Sequence, residues 1–472
     1  MANYKPYEKY KDSGNKWFGE VPNHWELKKI KRIGRTKAGG TPSTANSNYW
    51  DGNIPWLPSG KLQNNVIKSA SKFITEDGLN NSSTKLIRAN TTLIALTGAT
   101  CANIGYLTFE STANQSVIAI EEDDNNDSKF LFYSLINQRK QILLNQNGGA
   151  QAGINDTDVR NIISVFPPLS EQTAIARFLD YKLSKINRFI RKKKQLIKLL
   201  EEKKAAIINQ AVTKGLNPNT KMKNSGIEWL GEIPEHWEVT KIRGVCSFVR
   251  GNSTFKKDEL LSDGKFVALQ YGKTYKVTEV DNNYQFYVNE EFYKESQTVH
   301  LGDVIFVSTS ETMEDLGHSV YYNRNDIGLL GGEQILLKPK KNIISGKYLH
   351  YSTFVIAKEL RKFATGVKVY RFNINDLKTI YTFLPPLPEQ HQIVSYIEQE
   401  TFKIDTTISH IEKEIALVEE YKTALIAEAV TGKIDVRNYE LGIVNYELEE
   451  ELEEEMDIAA EDTENYETED TE

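Results

Sequence analysis

At 472 residues the chain is long enough for two to four domains, each with its own core. Its 39% hydrophobic and 26% charged content is that of an ordinary globular protein. The two cysteines, Cys101 and Cys246, are far apart and lack metal-ligand spacing, which argues against a disulfide framework or a zinc site and fits a reducing cytoplasm. The net charge of −7 conceals a division: residues 438–472 hold 16 Asp and Glu and no Lys or Arg, leaving 58 basic against 49 acidic residues, +9, over residues 1–437. A basic body suits a phosphate-backbone partner, although many proteins that never touch nucleic acid share it.

Met1 to Lys11 is polar and lacks the apolar stretch of a signal peptide. No window approaches the roughly 18 apolar residues that a membrane helix requires. Residues 13–33, SGNKWFGEVPNHWELKKIKRI, return at 225–245 as SGIEWLGEIPEHWEVTKIRGV, an offset of 212. FPPLSEQTAIARFLD (166–180) returns as LPPLPEQHQIVSYIE (384–398), and LLEEKKAAIINQAVTKG (199–215) as LVEEYKTALIAEAVTGK (417–433), both at 218. The match between 34–147 and 246–365 is faint. Repeated ends do one job twice, while divergent centres are free to do two different jobs.

The centres read as short strands and turns. Strands are predicted at 93–99, 116–122, 303–309 and 334–340, with loops rich in Gly, Asn, Ser and Thr at 38–52 and 249–259. The expected class is mixed α+β. Each centre ends on Pro167-Pro168 or Pro385-Pro386, which stops a strand and admits a new helix. Apolar residues then recur in alternating steps of three and four: Leu179, Leu183, Ile186, Ile190, Ile197, Leu200, Ile207 and Ala211 in the first copy, and Ile397, Ile404, Ile408, Ile411, Ile415, Val418, Leu425 and Ala429 in the second. This is a heptad seam, interrupted by Lys193, Lys204 and Lys422. Glu171 and Glu389 suit a first helical turn, and Gly215 and Gly432 the helix ends. About 45 residues make a helix of roughly 65 Å. Each helix has the other's long apolar face to bury against, and the connectivity makes them antiparallel. The expected architecture is two globular heads on a coiled-coil spacer with a pseudo-two-fold internal repeat. Such a protein would meet two inverted DNA half-sites within about two helical turns of each other. The expected divisions are 1–168, 169–216, 217–386, 387–435 and an acidic, disordered and solvated tail, 436–472.

These segments resemble the specificity subunits of Type I restriction-modification systems. The resemblance rests on GExPxHWE at 19–26 and 231–238, PPLxEQ at 167–172 and 385–390, and A-V-T near 211–213 and 429–431. GGTPSTANSNYWDGNIPW (39–56) and FVALQYGKTYK (266–276) are similar to elements of that family's recognition domains. It covers about residues 13–435 and implies two mixed α/β target recognition domains joined by two long helices, each domain reading half of a split site. It further implies two methyltransferase subunits and, optionally, two nuclease/translocase subunits as partners. No cofactor is then expected on this chain; S-adenosylmethionine, ATP and Mg belong to the partners. The acidic tail departs from the family pattern.

Chemistry in the chain itself finds no support in its motifs. The Pro-Pro pairs follow Phe166 and Leu384, not the Asn or Asp that an amino-methyltransferase needs, and no phosphate-binding Gly-rich loop precedes a Lys-Ser/Thr. The seven histidines lack metal-ligand spacing. A self-sufficient methyltransferase or a coiled-coil scaffold without DNA binding is the competing reading. Trp17, Trp25, Trp229 and Trp237 are expected to pack the repeated arm, with base stacking as the alternative, and His24 and His236 to be satisfied structurally. Pro168, Glu171, Gln172, Pro386, Glu389 and Gln390 are helix punctuation or a partner-docking surface. DNA-contacting residues should be polar, divergent and in loops. Those in the first copy are Lys37, Thr41, Ser43, Lys61, Asn114, Gln115 and Gln151. Those in the second are Arg250, Asn252, Lys256, Lys257, Gln270, Tyr271, Lys273, Lys276, Gln334, Lys368 and Arg371. Gln115 and Gln334 precede similar strands and suggest a shared role.

Overall fold

A computed structural model describes residues 4–144, 153–366 and 368–439. The chain forms two compact units, Met1–Lys193 with Lys413–Glu472, and Lys194–Glu412. Two long helices, Leu169–Lys214 and Leu387–Val430, each contribute one end to each unit.

The first unit holds a five-stranded sheet in the order Gly34–Ala38, Val117–Glu122, Thr91–Ala95, Ile104–Leu107, Asn65–Ile67, antiparallel except for the last pair. The second unit holds Cys246–Arg250, Gln334–Pro339, Val304–Val307, Ser319–Tyr322, Glu279–Val280, again parallel only in the last pair. Numbered along each segment, the strand order is the same. The divergent centres therefore share one topology. The apolar runs read as strands are the middle of these sheets, and each is buried on both faces. A smaller sheet lies beside each one: Thr112–Ala113, Trp50–Leu57 and Lys72–Ile74 in the first unit, and Tyr287–Val288, Phe266–Leu269, Gly328–Leu330 and Thr298–Val299 in the second.

Each five-stranded sheet is followed by a helix, Ser128–Leu144 or Gly346–Leu360, and then by a short helix, Asp156–Asn161 or Ile374–Thr379. Both short helices begin in a capping box, Asn155 with Asp158 and Asn373 with Asp376, which satisfies the backbone donors of the first turn. The strand before each Pro-Pro pairs with the repeated arm, Ile163–Phe166 with Glu26–Lys29 and Tyr381–Leu384 with Glu238–Lys241.

Within the first unit the two long helices run antiparallel. Lys422 Nζ donates to Asn187 Oδ1 at 2.8 Å, while Lys193 Nζ meets Glu414 Oε2 at 2.9 Å, so one helix advances as the other retreats. Within the second unit Lys204 Nζ meets Asp405 Oδ1 at 2.6 Å. The three lysines that interrupt the heptad pattern thus have polar partners on the opposite helix, which favours one register over its neighbours. Burial holds the Lys422 ammonium below the usual lysine range.

Ile434 and Val436 are buried in the core of the first unit, and the Tyr439 ring lies 4.9 Å from that of Phe178. The segment assigned to the tail from 436 therefore begins as part of this unit; its remainder from 440 lies outside the described residues. Among the described residues no helix is long and apolar enough to cross a membrane.

Candidate nucleic-acid interface

The repeated motifs meet inside each unit. The long helix starts directly after Pro168, whose carbonyl accepts from the Glu171 and Gln172 amides at 2.9 and 3.0 Å. In the first unit the Trp25 indole donates to Glu171 Oε2 at 3.1 Å, the Tyr7 hydroxyl to the same oxygen at 3.0 Å, and His24 Nε2 lies 2.7 Å from Oε1. In the second unit Trp237 donates to Glu389 Oε1 at 3.1 Å, and His236 Nε2 lies 2.7 Å from Oε2. Burial, with the charge of Glu171, pushes the Tyr7 phenol well above the usual tyrosine range. The end of the opposite long helix closes on each of these latches. Gly432, with φ 71°, has Pro22 and Trp25 where a side chain would begin, and the Tyr10 hydroxyl donates to its carbonyl at 2.9 Å. Gly215, with φ 73°, faces Trp237 and Glu389 in the same way.

Gln172 accepts from the Asp127 amide at 2.9 Å and donates to the Pro167 carbonyl at 2.9 Å. Gln390 accepts from the Ser345 amide at 2.8 Å and donates to Pro385 and Ile343 carbonyls at 2.9 and 3.0 Å. Both glutamines are buried and tie the start of Ser128–Leu144 or Gly346–Leu360 to the long helix. Of the six residues assigned to helix punctuation or docking, Glu171, Gln172, Glu389 and Gln390 hold the unit together, and Pro168 and Pro386 are exposed. Trp25 and Trp237 are wholly buried, as arm packing requires. Trp17 departs from that expectation: it is 47% exposed, and the next residue of its turn, Phe18, enters the core instead. Trp229 is half-buried.

A second shared brace ties Lys129 to Asp180 at 3.3 Å and Lys347 to Glu398 at 2.8 Å. Each lysine also lies over an aromatic ring of the large sheet, Tyr106 at 4.4 Å or Tyr321 at 4.9 Å.

The divergent residues gather elsewhere. In the first unit the rim joins loop 39–46, residues 97–100 and Asn114-Gln115. The Thr41 hydroxyl donates to the Gln115 side-chain carbonyl, and Thr97 Oγ1 to Ser116 Oγ at 3.0 Å. The Trp56 indole donates to the Gly40 carbonyl at 3.0 Å and the Trp50 indole to that of Ser43 at 3.2 Å, fixing the loop. These two tryptophans were not foreseen as loop supports; their place between two strand-breaking Gly and Pro segments was the available signal. Ser43 and Gln115 are exposed, Thr41, Lys61 and Asn114 half-buried. Lys37 stands apart from the rim, its ammonium held by Glu121 at 2.6 Å and the Leu86 carbonyl at 2.9 Å. Gln151 lies outside the described residues.

In the second unit Tyr370–Arg371 pairs with Thr309–Ser310, and the Tyr271 hydroxyl donates to the Thr309 carbonyl at 3.1 Å. Arg250 lines a cleft with Ser308 and Phe372, beside that pair. Arg250, Asn252, Lys256, Lys257, Lys276, Lys368 and Arg371 are exposed. Gln270 is partly committed, donating to the Phe255 carbonyl at 2.8 Å, and Lys273 lies 4.4 Å over the Phe286 ring.

Gln334 corrects the sequence reading. It is wholly buried and donates to the Leu269 carbonyl at 2.7 Å, so it braces the two sheets and presents nothing to DNA. Nor is it the counterpart of Gln115. The Gly39 amide bonds to the Val117 carbonyl and the Gly251 amide to that of Gln334, which aligns Gln334 with Val117 and Gln115 with Gly332. Gly39 and Gly251 are themselves required, since a side chain would run into the backbone of Asn114 or Gly331.

The sequence profile of the Type I restriction modification DNA specificity domain matches residues 22–199 and again 234–419. The chain belongs to that family. It is a Type I specificity chain with one DNA specificity domain for each copy of the repeat. It is 22% identical over 440 residues to the Type I restriction enzyme MjaIX specificity subunit of Methanocaldococcus jannaschii, covering 89% of this chain and 95% of that one. The MjaVIII specificity subunit of the same organism is 26% identical over 436 residues, again covering 89% and 95%. A solved chain described under complex assembly and conformational transition of the type I R-M system shares the fold, with a TM-score of 0.68 at 16% identity over 88% of this chain and 99% of that one.

Proposed function

We propose that this specificity chain reads a bipartite double-stranded DNA site, one half-site per unit, on behalf of two methyltransferase subunits, and carries no catalytic group of its own. The observation that supports this reading is the duplicated five-stranded frame with different side chains at the same rim: Thr41 and Gln115 in one copy, Arg250, Tyr271 and Arg371 in the other. Arg, Gln, Thr and Tyr suit base edges and phosphates. Methyl transfer then takes place in partners that bind S-adenosylmethionine, and cleavage, where a nuclease/translocase subunit joins, in partners that use ATP and Mg. The exposed Pro168 and Pro386 mark the parts of the helix starts left open to a partner.

Co-expression with the methyltransferase subunit of its own system, followed by sequencing of methylated adenines, tests this. The expected result is one split motif with its halves on opposite strands, and exchange of residues 34–147 for those of another family member should alter one half alone. Methylation by the chain without a partner, or loss of both halves on the exchange, overturns it.

A further inference from the structure

On the DNA-reading function proposed above, the two unlike rims face different bases, yet both half-sites present the same sugar-phosphate backbone. A contact to that backbone should therefore be a cation kept at the same place in both units. The strand Trp50–Leu57 leads into Pro58-Ser59-Gly60-Lys61, and the strand Phe266–Leu269 leads into Gln270-Tyr271-Gly272-Lys273. Both strands pair in parallel with the segment before the rim, Leu57 with Ala113 and Leu269 with Leu330, which puts Lys61 and Lys273 at equivalent positions. Both turns close alike, the Lys61 amide on the Pro58 carbonyl at 3.1 Å and the Lys273 amide on that of Gln270 at 2.9 Å. Lys37, Lys129 and Lys347 are each held by carboxylates. Among the described residues neither the Lys61 nor the Lys273 ammonium has such a partner.

The glycines carry the second observation. Gly60 and Gly272 are exposed, and neither has a positive φ. A side chain built on Gly60 would meet nothing within 4 Å, and on Gly272 only Gln270 Oε1 at 4.0 Å. Neither backbone conformation nor internal packing demands glycine, yet both copies keep it in a region where little else matches. Glycine with open space on the outside admits the close approach of another molecule's backbone.

We propose that Gly60-Lys61 and Gly272-Lys273 are twin backbone clamps, each seating one DNA phosphate in a sequence-independent way and fixing the register from which the rim reads. This rests on the DNA-reading function above. The test uses the full chain with its methyltransferase and a duplex carrying the methylated motif. Lys61→Gln and Lys273→Gln should each lower the slope of log affinity against log salt by roughly 0.9, and together by about twice that, with the methylated motif unchanged. Gly60→Ala and Gly272→Ala should weaken DNA binding while leaving the melting temperature unchanged. Unaltered salt slopes in both lysine variants, or a change in the bases read, overturn the clamp while the reading function stands. A wild-type complex that methylates no split motif overturns both.

Discussion

The two units differ least where they are most deeply built and most where they face outward. Their sheets have one strand order, their helix starts one Glu–Trp–His latch and one Gln clamp, and their helix braces one Lys–carboxylate pair. At the rim, Gln115 of the first unit stands where the second has Gly332, and Arg371 of the second where the first has Gly153, judged by the pairing of Thr97 with Gly153 and of Thr309 with Arg371. The latch, clamp and brace that the two units share involve none of the residues that differ at these rim positions. Gln334 shows the boundary: one step inside the rim, a polar residue became part of the core.

The latch gives the largest test of this equivalence. Glu171 accepts from three side chains and is 10% exposed, whereas Glu389 accepts from two and is 23% exposed. Each buried donor left without an acceptor costs about 1–3 kcal/mol. In urea titrations of the full chain Glu171→Ala should therefore lose about 3–5 kcal/mol, and Glu389→Ala about 1–3 kcal/mol. Equal losses would show that Tyr7 adds nothing to the first latch.

A smaller difference is set by pH. Burial raises the Glu122 carboxyl from the ordinary 4.5 to about 7, and the register that aligns the two sheets puts Pro339 at the same place in the second unit. Below pH 4.5 the group is protonated in both folded and unfolded chains, and its contribution is fully present. As pH rises toward 7 the unfolded chain releases its proton first, so stability falls and then levels. Glu122→Gln should remove that fall, gaining about 3 kcal/mol over wild type between the two limits. A parallel pH profile for variant and wild type would refute the buried charge.

The smallest effects belong to the seam. Asp405→Asn in the second unit and Glu414→Gln in the first should each cost about 0.5 kcal/mol by denaturant midpoint, because both carboxylates are about half exposed. A much larger loss from one would reveal a buried pair in that unit alone.

Much of this frame was legible in the sequence. Heptad spacing marked both long helices, and the apolar runs at 93–99, 116–122, 303–309 and 334–340 marked the central strands, because burial on both faces leaves an unbroken hydrophobic signature. The common topology of the centres was not legible, since strands accept many apolar combinations and the loops between them had diverged. The same limit applied to Glu171 and Glu389: their place in a first turn was visible, but their bonds to residues about 150 positions earlier depend on tertiary closure. Gln334 shares its residue type with Gln115 but not its place, because backbone register and not residue identity decides which positions correspond.

The first unit is interrupted in sequence and the second is not. Leu425, Ile426, Ala429, Val430, Ile434 and Val436 lie in the core of the first unit, while everything that builds the second falls between 194 and 412. During synthesis from the N-terminus the head that is begun first is thus completed last. It must wait, with its apolar surface uncovered, until the whole of its twin and the end of the second long helix have emerged. A gene cut after the second head would leave the second able to close and the first without its final helix, so the two readers, equal in architecture, are unequal in time.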